Sequence, residues 1–346
     1  MSLSEIYRPI QSQLQAAEAL LVQELASRKN FRHGLMAELA RHVARMSGKR
    51  IRPALALLGA SLVHESARRN GNGLGARSKT WHPNSAIRLA AAVEMFHTAT
   101  LLHDDVIDGA SLRRGLTTLN AKWGDTLSVL SGDYLYAKAF CLLSQLDNPA
   151  VLNLMSDTAR TVCEGEVAQI QHQYDLTLTR SAYLKIIGWK TASLMGAAAE
   201  AGALLGGARP RQAERLGLFG THYGLAFQIL DDTQDLIGEE EVLGKSLGTD
   251  LALGQLTLPL LYLRDAAGPE LRGQLAQWFN GNGSRSAAQA LEQLQLLKQE
   301  AVRHKVPAYC RRVANGFLDK ARQALSGFPG SPCKSSLLAL TGQLLQ

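Results

Sequence analysis

Cysteine and long hydrophobic runs are scarce in this 346-residue sequence, and each scarcity excludes a class of protein. The four cysteines form no CxxC pair, which disfavours a zinc ribbon or a disulfide framework, so we expect buried free thiols in a reducing compartment. No apolar stretch approaches the roughly 18 residues that a membrane span needs. The opening MSLSEIYRPIQSQLQ lacks the apolar core of a secretion signal, so we expect a cytoplasmic protein.

Signals for nucleic-acid binding and for β-sheet are also missing. The net charge is +7, but the basic residues are scattered and no aromatic-rich RNA-binding motif accompanies them, so nucleic acid is not an expected partner. No turn signal separates alternating strands. Apolar residues instead recur at three- and four-residue spacing in long segments, such as 85–103 and 122–145. The sequence therefore predicts an all-α fold, a helix bundle in which residues 1–346 form a single domain.

Two acidic motifs of the form DDxxD each end an apolar helical segment. Their carboxylates belong to Asp104, Asp105, Asp108, Asp231, Asp232 and Asp235. Residues four apart share a face of a helix, so the carboxylates of one motif repel one another unless a cation lies among them. Mg²⁺ suits this role because it prefers oxygen ligands and commonly binds carboxylates together with substrate phosphates. One motif alone could be a solvated helix end, but two motifs predict carboxylate sets that face each other across a cavity.

Basic residues near both motifs would complete a site for diphosphates. The segment Ser47–Pro53 reads SGKRIRP, Arg113–Arg114 follows the first acidic motif, and Lys190 and Thr191 lie on a predicted helix with Lys245 further on. Arginine suits bidentate contacts with phosphate, whereas lysine acts as a point charge. Each cluster alone is more often a solvated surface, but carboxylates, metal ions and basic side chains together predict a site for a diphosphate substrate.

Taken together, these segments resemble the trans-isoprenyl diphosphate synthases, over residues 40–265. The matching motifs are GKRIRP at 48–53, HTATLLHDDVID at 97–108, RRG at 113–115, GD at 132–133, EGE at 164–166, KTA at 190–192, FQILDDTQD at 227–235, GKSLGTD at 244–250 and TLPLL at 257–261. The resemblance implies mostly antiparallel helices around a deep central cavity, usually in a homodimer. It also implies the condensation of isopentenyl diphosphate with an allylic prenyl diphosphate, with Mg²⁺ as cofactor.

The resemblance further implies a role for each matching position. All six aspartates would hold Mg²⁺ against the allylic diphosphate. The residues that would contact this diphosphate are Arg113, Lys190, Thr191, Gln228 and Lys245. The residues that would bind the diphosphate of isopentenyl diphosphate are Lys49, Arg52, His97 and Arg114. The set that would ionise the allylic C–O bond is Asp104, Asp105, Asp108, Arg113, Lys190, Asp231 and Lys245.

Product length should depend on residues that precede the first acidic motif. Ala99 and Thr100 lie five and four positions before Asp104, and at 1.5 Å per residue Ala99 is about 7.5 Å below the metal site. Members of the family with short products often carry a bulky aromatic residue there, so the small Ala99 predicts a long, octaprenyl-like product. The candidates for a deeper floor of the cavity are Met95, Phe96, Tyr136, Phe140 and Leu143. Such a greasy product would favour transient contact with a membrane.

Several alternatives stay open at this point. A short-chain farnesyl or geranylgeranyl diphosphate synthase would share the motifs, and a non-catalytic partner subunit is expected to have lost aspartates that are intact here. A terpene cyclase typically has a second metal motif of a different, Asn/Ser-containing form. Gln255 stands where the family often has lysine, which removes one positive charge. His103 is either close to the metal site or ordinarily packed, and Glu164 and Glu166 either face the cavity or, more simply, form a solvated pair.

Overall fold

The computed structural model describes residues 1–26, 39, 41–42, 45, 48–69, 82–113, 115–238, 248–266, 268–280 and 287–345. These residues are almost entirely helical, and the β-structure among them is one antiparallel pair of two-residue strands, β1 (Leu112–Arg113) and β2 (Leu116–Thr117). The predicted all-α fold is confirmed. No helix in the described part of the chain has both the length and the apolar composition to cross a membrane.

The helices of the described residues follow one another along the chain. In chain order they are α1 (Leu3–Ile6), a 3₁₀ turn (Arg8–Ile10), α2 (Gln11–Ala26), α3 (Ile51–Arg69), α4 (Pro83–Ile107), α5 (Leu119–Trp123), α6 (Asp125–Ser144), α7 (Pro149–Gln171), α8 (Arg180–Ile187), a π-helical turn (Gly188–Ala192), α9 (Ser193–Leu205), α10 (Pro210–Ile237), α11 (Thr249–Ala252), α12 (Leu258–Ala266), α13 (Pro269–Asn280), α14 (Ala287–Arg303), α15 (Val306–Ala324) and α16 (Pro332–Gln343). The predicted segment 122–145 begins as α6 only at Asp125, because Gly124 takes a φ of +84° and ends α5.

The chain divides into two compact units. The first unit comprises Met1–Ala159, Leu194–Thr221 and Ala321–Gln346, and the second comprises Arg160–Ser193 and His222–Lys320. The first acidic motif belongs to the first unit, and the second motif belongs to the second unit. That residues 1–346 form a single domain stays a prediction, as does the arrangement of the two carboxylate sets across a shared cavity.

The long helix α4 lies in the core of the first unit. Pro83 occupies its first turn, where a missing N–H costs nothing. From Leu89 to Phe96 every side chain of α4 is buried, as expected of a helix that is apolar on all sides. Small residues also permit close packing between α3 and α9, since an added Cβ at Gly202 would overlap the carbonyl oxygen of Ala56. The first acidic motif lies at the C-terminal end of this buried helix.

In the second unit, α8 leads into the π-helical turn that contains the site residues Lys190 and Thr191. Thr179 begins α8, and its hydroxyl accepts a hydrogen bond from the Ala182 N–H at 3.2 Å. The indole of Trp278 on α13 is buried and donates to the Leu251 carbonyl at 3.3 Å.

The four cysteines are free, in agreement with the absence of a disulfide framework. Cys310 and Cys333 are buried, whereas Cys141 and Cys163 are exposed. The prediction of buried thiols is therefore wrong for Cys141 and Cys163, because these positions lie on outer faces of α6 and α7.

Candidate functional site

The first acidic motif sits at the C-terminal end of α4. Asp104 and Asp105 lie in the last turn, and Asp108 is the C-cap residue. Asp105 is 1% exposed, whereas Asp104 and Asp108 are half-buried. The helix dipole places partial negative charge at this end. Three carboxylates there are unfavourable in the absence of a cation, so the motif is suited to bind one.

The short β-hairpin that follows brings Arg113 back to the motif. Arg113 Nε donates to Asp105 Oδ1 at 2.6 Å. The Asn120 side chain ties this hairpin to the helix end, since its amide donates to the carbonyls of Asp105 at 3.2 Å and Ala110 at 3.0 Å. Burial raises the pKa of Asp105, and the Arg113 guanidinium partly opposes this shift. Arg114 lies outside the described residues.

The residues predicted to bind isopentenyl diphosphate include Lys49 just before α3, Arg52 in its first turn and His97 on α4. Arg52 Nη1 donates to His97 Nε2 at 2.9 Å, so the structure brings these two predicted ligands together. Lys49 is exposed, and its carbonyl accepts a hydrogen bond from the Tyr7 hydroxyl at 2.8 Å. Ser47 lies outside the described residues.

The second acidic motif lies in the last turns of α10. Asp231 is exposed, whereas Asp232 and Asp235 are each 5% exposed. Asp232 accepts hydrogen bonds from the Tyr183 hydroxyl at 2.5 Å and from Gln228 Nε2 at 2.7 Å. Burial raises the pKa of Asp232 to about 7, against the two hydrogen bonds that lower it. Tyr183 was not among the residues predicted from the sequence.

Asp235 is bonded to the start of α11 rather than to solvent. Its Oδ2 accepts the backbone N–H of Asp250 at 3.1 Å, and its carbonyl accepts the N–H of Gly248 at 3.0 Å. Gly248 has a φ of +69°, which favours glycine. The predicted ligand Lys245 lies just before this point, outside the described residues.

The π-helical turn presents Lys190 and Thr191 to different partners. Lys190 Nζ lies 2.6 Å from Glu166 Oε2, and the Thr191 hydroxyl donates to Gln228 Oε1 at 2.9 Å. Thr191 is thereby linked through Gln228 to the second acidic motif. An added Cβ at Gly165 would overlap the backbone of Lys190, so this glycine permits the close approach of α7.

The interpretation of Glu164 and Glu166 as a solvated pair is wrong for one of them. The Glu166 side chain is 14% exposed and pairs with Lys190. The Glu164 side chain is 47% exposed and pairs with Arg160 at 2.6 Å along the same helix. Because successive residues of a helix point in different directions, positions two apart cannot share one environment.

The residues predicted to set product length lie along α4 and α6. Ala99 is fully buried, and the Thr100 hydroxyl donates to the His97 carbonyl at 2.7 Å. Phe140 is half-buried. Phe96 packs edge to face against Tyr136 with ring centroids 4.7 Å apart. A role of these side chains in chain length stays a prediction.

Comparison with known proteins identifies relatives of this chain. The family model described as Polyprenyl synthetase matches residues 33–296. A nonaprenyl diphosphate synthase of Rhodobacter capsulatus is 35% identical over 97% of this chain and 95% of its own length. The octaprenyl diphosphate synthase of Escherichia coli K12 is also 35% identical, over 88% of both chains. The chain belongs to the polyprenyl synthetase family.

The fold agrees with that of a solved polyprenyl synthetase. A polyprenyl synthase from Caulobacter crescentus CB15, crystallised with calcium and isoprenyl diphosphate, superimposes with a TM-score of 0.88. The two chains are 32% identical, and the match covers 99% of this chain and 97% of the other. The predicted resemblance to the isoprenyl diphosphate synthases is confirmed at the level of the family.

The first acidic motif of this polyprenyl synthetase fits a divalent cation. Asp105 Oδ2 is buried and accepts no hydrogen bond from the described residues, so it offers an oxygen that a cation would satisfy. Asp104 and Asp108 are accessible beside it. Within the described ranges, no three acidic, histidine or cysteine side chains form a preformed set of metal ligands. The fit to a cation therefore rests on the buried Asp105 oxygen.

The residues that the sequence did not reveal act on the predicted ones. Tyr183 supports Asp232, and Asn120 supports the hairpin that carries Arg113. Both contacts depend on tertiary packing, for which a single sequence gives no local signal. Glu94 is different, because it is a charged residue inside the apolar run AAAVEMF. A charge at such a position indicates that a buried partner of opposite charge is needed, so the sequence did contain a signal for it.

Proposed function

We propose that this chain is a Mg²⁺-dependent prenyltransferase that condenses isopentenyl diphosphate with an allylic prenyl diphosphate. Repetition of the step gives a long-chain, all-trans polyprenyl diphosphate. The observation that carries the proposal is the carboxylate cluster at the end of α4. Asp105 there is held by Arg113, and one of its buried oxygens accepts no hydrogen bond from the described residues. The sequence similarity of the chain to octaprenyl and nonaprenyl diphosphate synthases supports the same reaction.

The side chains divide the work of the reaction. Mg²⁺ bound at the acidic motifs would neutralise the departing diphosphate and so promote ionisation of the allylic C–O bond. The remaining nitrogens of Arg113, together with Lys190 and Lys245, would hold that diphosphate. Lys49, Arg52 and His97 would hold isopentenyl diphosphate so that its double bond attacks the allylic cation. The cation that results would lose a proton to the departed diphosphate, which forms the new double bond, and no enzyme nucleophile is needed.

Product sizing tests the proposal directly. Purified protein is incubated with Mg²⁺, labelled isopentenyl diphosphate and farnesyl diphosphate, and the products are separated by reversed-phase chromatography. We expect a ladder that ends well beyond geranylgeranyl diphosphate, and no product after metal chelation. A ladder that stops at geranylgeranyl would support the short-chain alternative. No product under any condition would support the non-catalytic subunit and overturn the proposal.

We propose that Ala99 permits long products because its side chain leaves the tail-binding cavity open. The variant Ala99→Phe should shorten the product ladder, whereas Ala99→Gly should leave its length unchanged. Chromatography of the products of both variants provides the test. An active Ala99→Phe enzyme with the wild-type ladder would contradict this role.

We also propose a cytoplasmic homodimer that contacts membranes transiently when it releases its product. On α6 the apolar side chains of Val129 and Leu130 are 38% and 57% exposed, which supports burial against a second copy. Sedimentation of the wild type and of the variant Leu130→Glu should give a dimer and a shift towards monomer, respectively. A wild type that sediments as a monomer at micromolar concentration would refute the dimer.

A further inference from the structure

Arg50 has an unusual backbone at the start of α3. Its φ is +49°, in the left-handed region that residues other than glycine rarely adopt. Its carbonyl accepts the first hydrogen bond of α3, from the Ala54 N–H at 3.1 Å. Such a conformation persists where the surroundings fix it, and the contacts of the Arg50 guanidinium can fix it here.

The Arg50 guanidinium joins two carboxylates from different helices. Nε donates to Glu18 Oε1 on α2 at 2.7 Å, and Nη1 donates to Glu94 Oε1 on α4 at 2.6 Å. The side chains of Arg50 and Glu94 are only 17% and 11% exposed. Loss of Arg50 would leave the Glu94 carboxylate without this cation, and loss of Glu94 would remove the more buried of the two ion pairs of Arg50.

This ion cluster lies one helical turn from a predicted substrate ligand. Glu94 and His97 are three residues apart on α4, and Arg50 and Arg52 flank Ile51 at the start of α3. The pairs Arg50–Glu94 and Arg52–His97 therefore form two parallel links between the same two helices. The Tyr7 hydroxyl holds the carbonyl of Lys49, the neighbouring residue.

A cavity borders the Arg50 ion cluster. A cavity of about 150 Å³ lies beside Arg50 and both of its carboxylate partners. The apolar side chains that line it include Leu14, Leu21, Pro53, Ala90 and Ala91. The two ion pairs orient the guanidinium beside this cavity.

We propose that Arg50, held by Glu94 and Glu18, is a positioning residue for the diphosphate of isopentenyl diphosphate. Its ion pairs fix the turn before α3, so that Lys49, Arg52 and His97 present their cationic and hydrogen-bonding groups together. The inference rests on the proposed function, and it assigns Arg50 to the homoallylic substrate rather than to the allylic one. Arg50 acts through its neighbours.

The variant Glu94→Gln tests this role through a split between kinetic constants. We expect the KM for isopentenyl diphosphate to rise about tenfold or more, because a small displacement of binding groups is costly. The KM for the allylic substrate and kcat at saturation should change little. Arg50→Lys, which keeps the charge but has no fork for two carboxylates, should give an intermediate rise.

Matched controls separate positioning from stability. Glu24→Gln removes a similar partly buried ion pair from α2, since Glu24 Oε2 lies 3.0 Å from Lys138 Nζ. It should leave the KM for isopentenyl diphosphate unchanged. Should Glu94→Gln fold poorly, Glu18→Gln at the 44% exposed end of the cluster should give a smaller rise in the same constant.

Calorimetric titration with isopentenyl diphosphate in the absence of turnover keeps the inference separate from the proposed function. Failure of the wild type to make product would refute the proposed function, whereas weaker binding by Glu94→Gln than by Glu24→Gln would still support the inference. Equal binding by these two variants would overturn it. An equal rise in both KM values would overturn it as well, because that result indicates a general structural role.

Discussion

The two acidic motifs share one sequence pattern but differ in what surrounds the middle aspartate. In the first unit, Asp105 pairs with the charged Arg113. In the second unit, Asp232 accepts hydrogen bonds from the neutral side chains of Tyr183 and Gln228. Burial raises the pKa of both carboxyl groups, but a guanidinium opposes the rise only at Asp105. The same DDxxD pattern is therefore embedded once in a charged frame and once in a neutral one.

The largest expected effect is a difference between two identical substitutions. Asp105→Asn removes the negative charge that holds Arg113 beside the predicted metal ligands, so we expect kcat/KM to fall about 10²–10³-fold. Asp232→Asn can keep its hydrogen bonds, because the Gln228 amide can turn over while Tyr183 donates to the remaining oxygen. We expect a loss of about tenfold for this variant. Steady-state kinetics of both variants measures the difference.

Asp265→Asn provides the control for these two variants. The Asp265 side chain is 66% exposed and lies outside the matching motifs, so its kcat/KM should match that of the wild type. Losses of equal size for Asp105→Asn and Asp232→Asn would show that the charged and the neutral frame are equivalent.

A smaller effect is expected from Tyr183→Phe, which removes a donor from the buried Asp232. The free energy of unfolding should fall by about 1–3 kcal/mol, the cost of leaving a buried acceptor unsatisfied. Urea denaturation measures this change. The control Tyr262→Phe keeps the ring stack with Tyr309, whose centroid lies 3.9 Å away. It removes a hydroxyl that makes no hydrogen bond to the described part of the chain, so stability should hardly change.

A double-variant cycle sharpens the assignment. In the Asp232→Asn background, Tyr183→Phe should cost less, because an uncharged amide suffers less from the loss of a donor than a carboxylate does. Additive losses would mean that the Tyr183 hydroxyl stabilises the protein through a different contact.

What the sequence could predict here is local. The acidic motifs, their place at helix ends and the helix over 85–103 follow from periodicity and spacing, and α4 indeed spans Pro83–Ile107. The pairing of Arg113 with Asp105 is not among these predictions, although only eight residues separate the two. Each of these features depends on neighbours within about two helical turns or one short hairpin.

What the sequence could not predict depends on packing between distant segments. Tyr183 reaches Asp232 across 49 positions, and Arg50 reaches Glu94 across 44. A tyrosine on an amphipathic helix looks the same whether its hydroxyl meets solvent or a buried carboxylate. The polar contact that decides its role appears only when α8 packs against α10, because hydrophobic periodicity specifies which face is buried but not which partner it meets.

The smallest effect concerns the outer end of the neutral frame, at Thr191. Its hydroxyl donates to Gln228 and reaches Asp232 only through that amide. Thr191→Val keeps the shape and removes one half-buried hydrogen bond, so we expect a loss of about 0.5–1.5 kcal/mol in urea denaturation. Thr191→Ser, which keeps the hydroxyl, should retain most of the stability. A larger loss from Thr191→Val than from Tyr183→Phe would contradict this order. It would mean that the stabilisation does not decline with distance from Asp232, and that burial of the Asp232 carboxylate is not the source of the stabilisation.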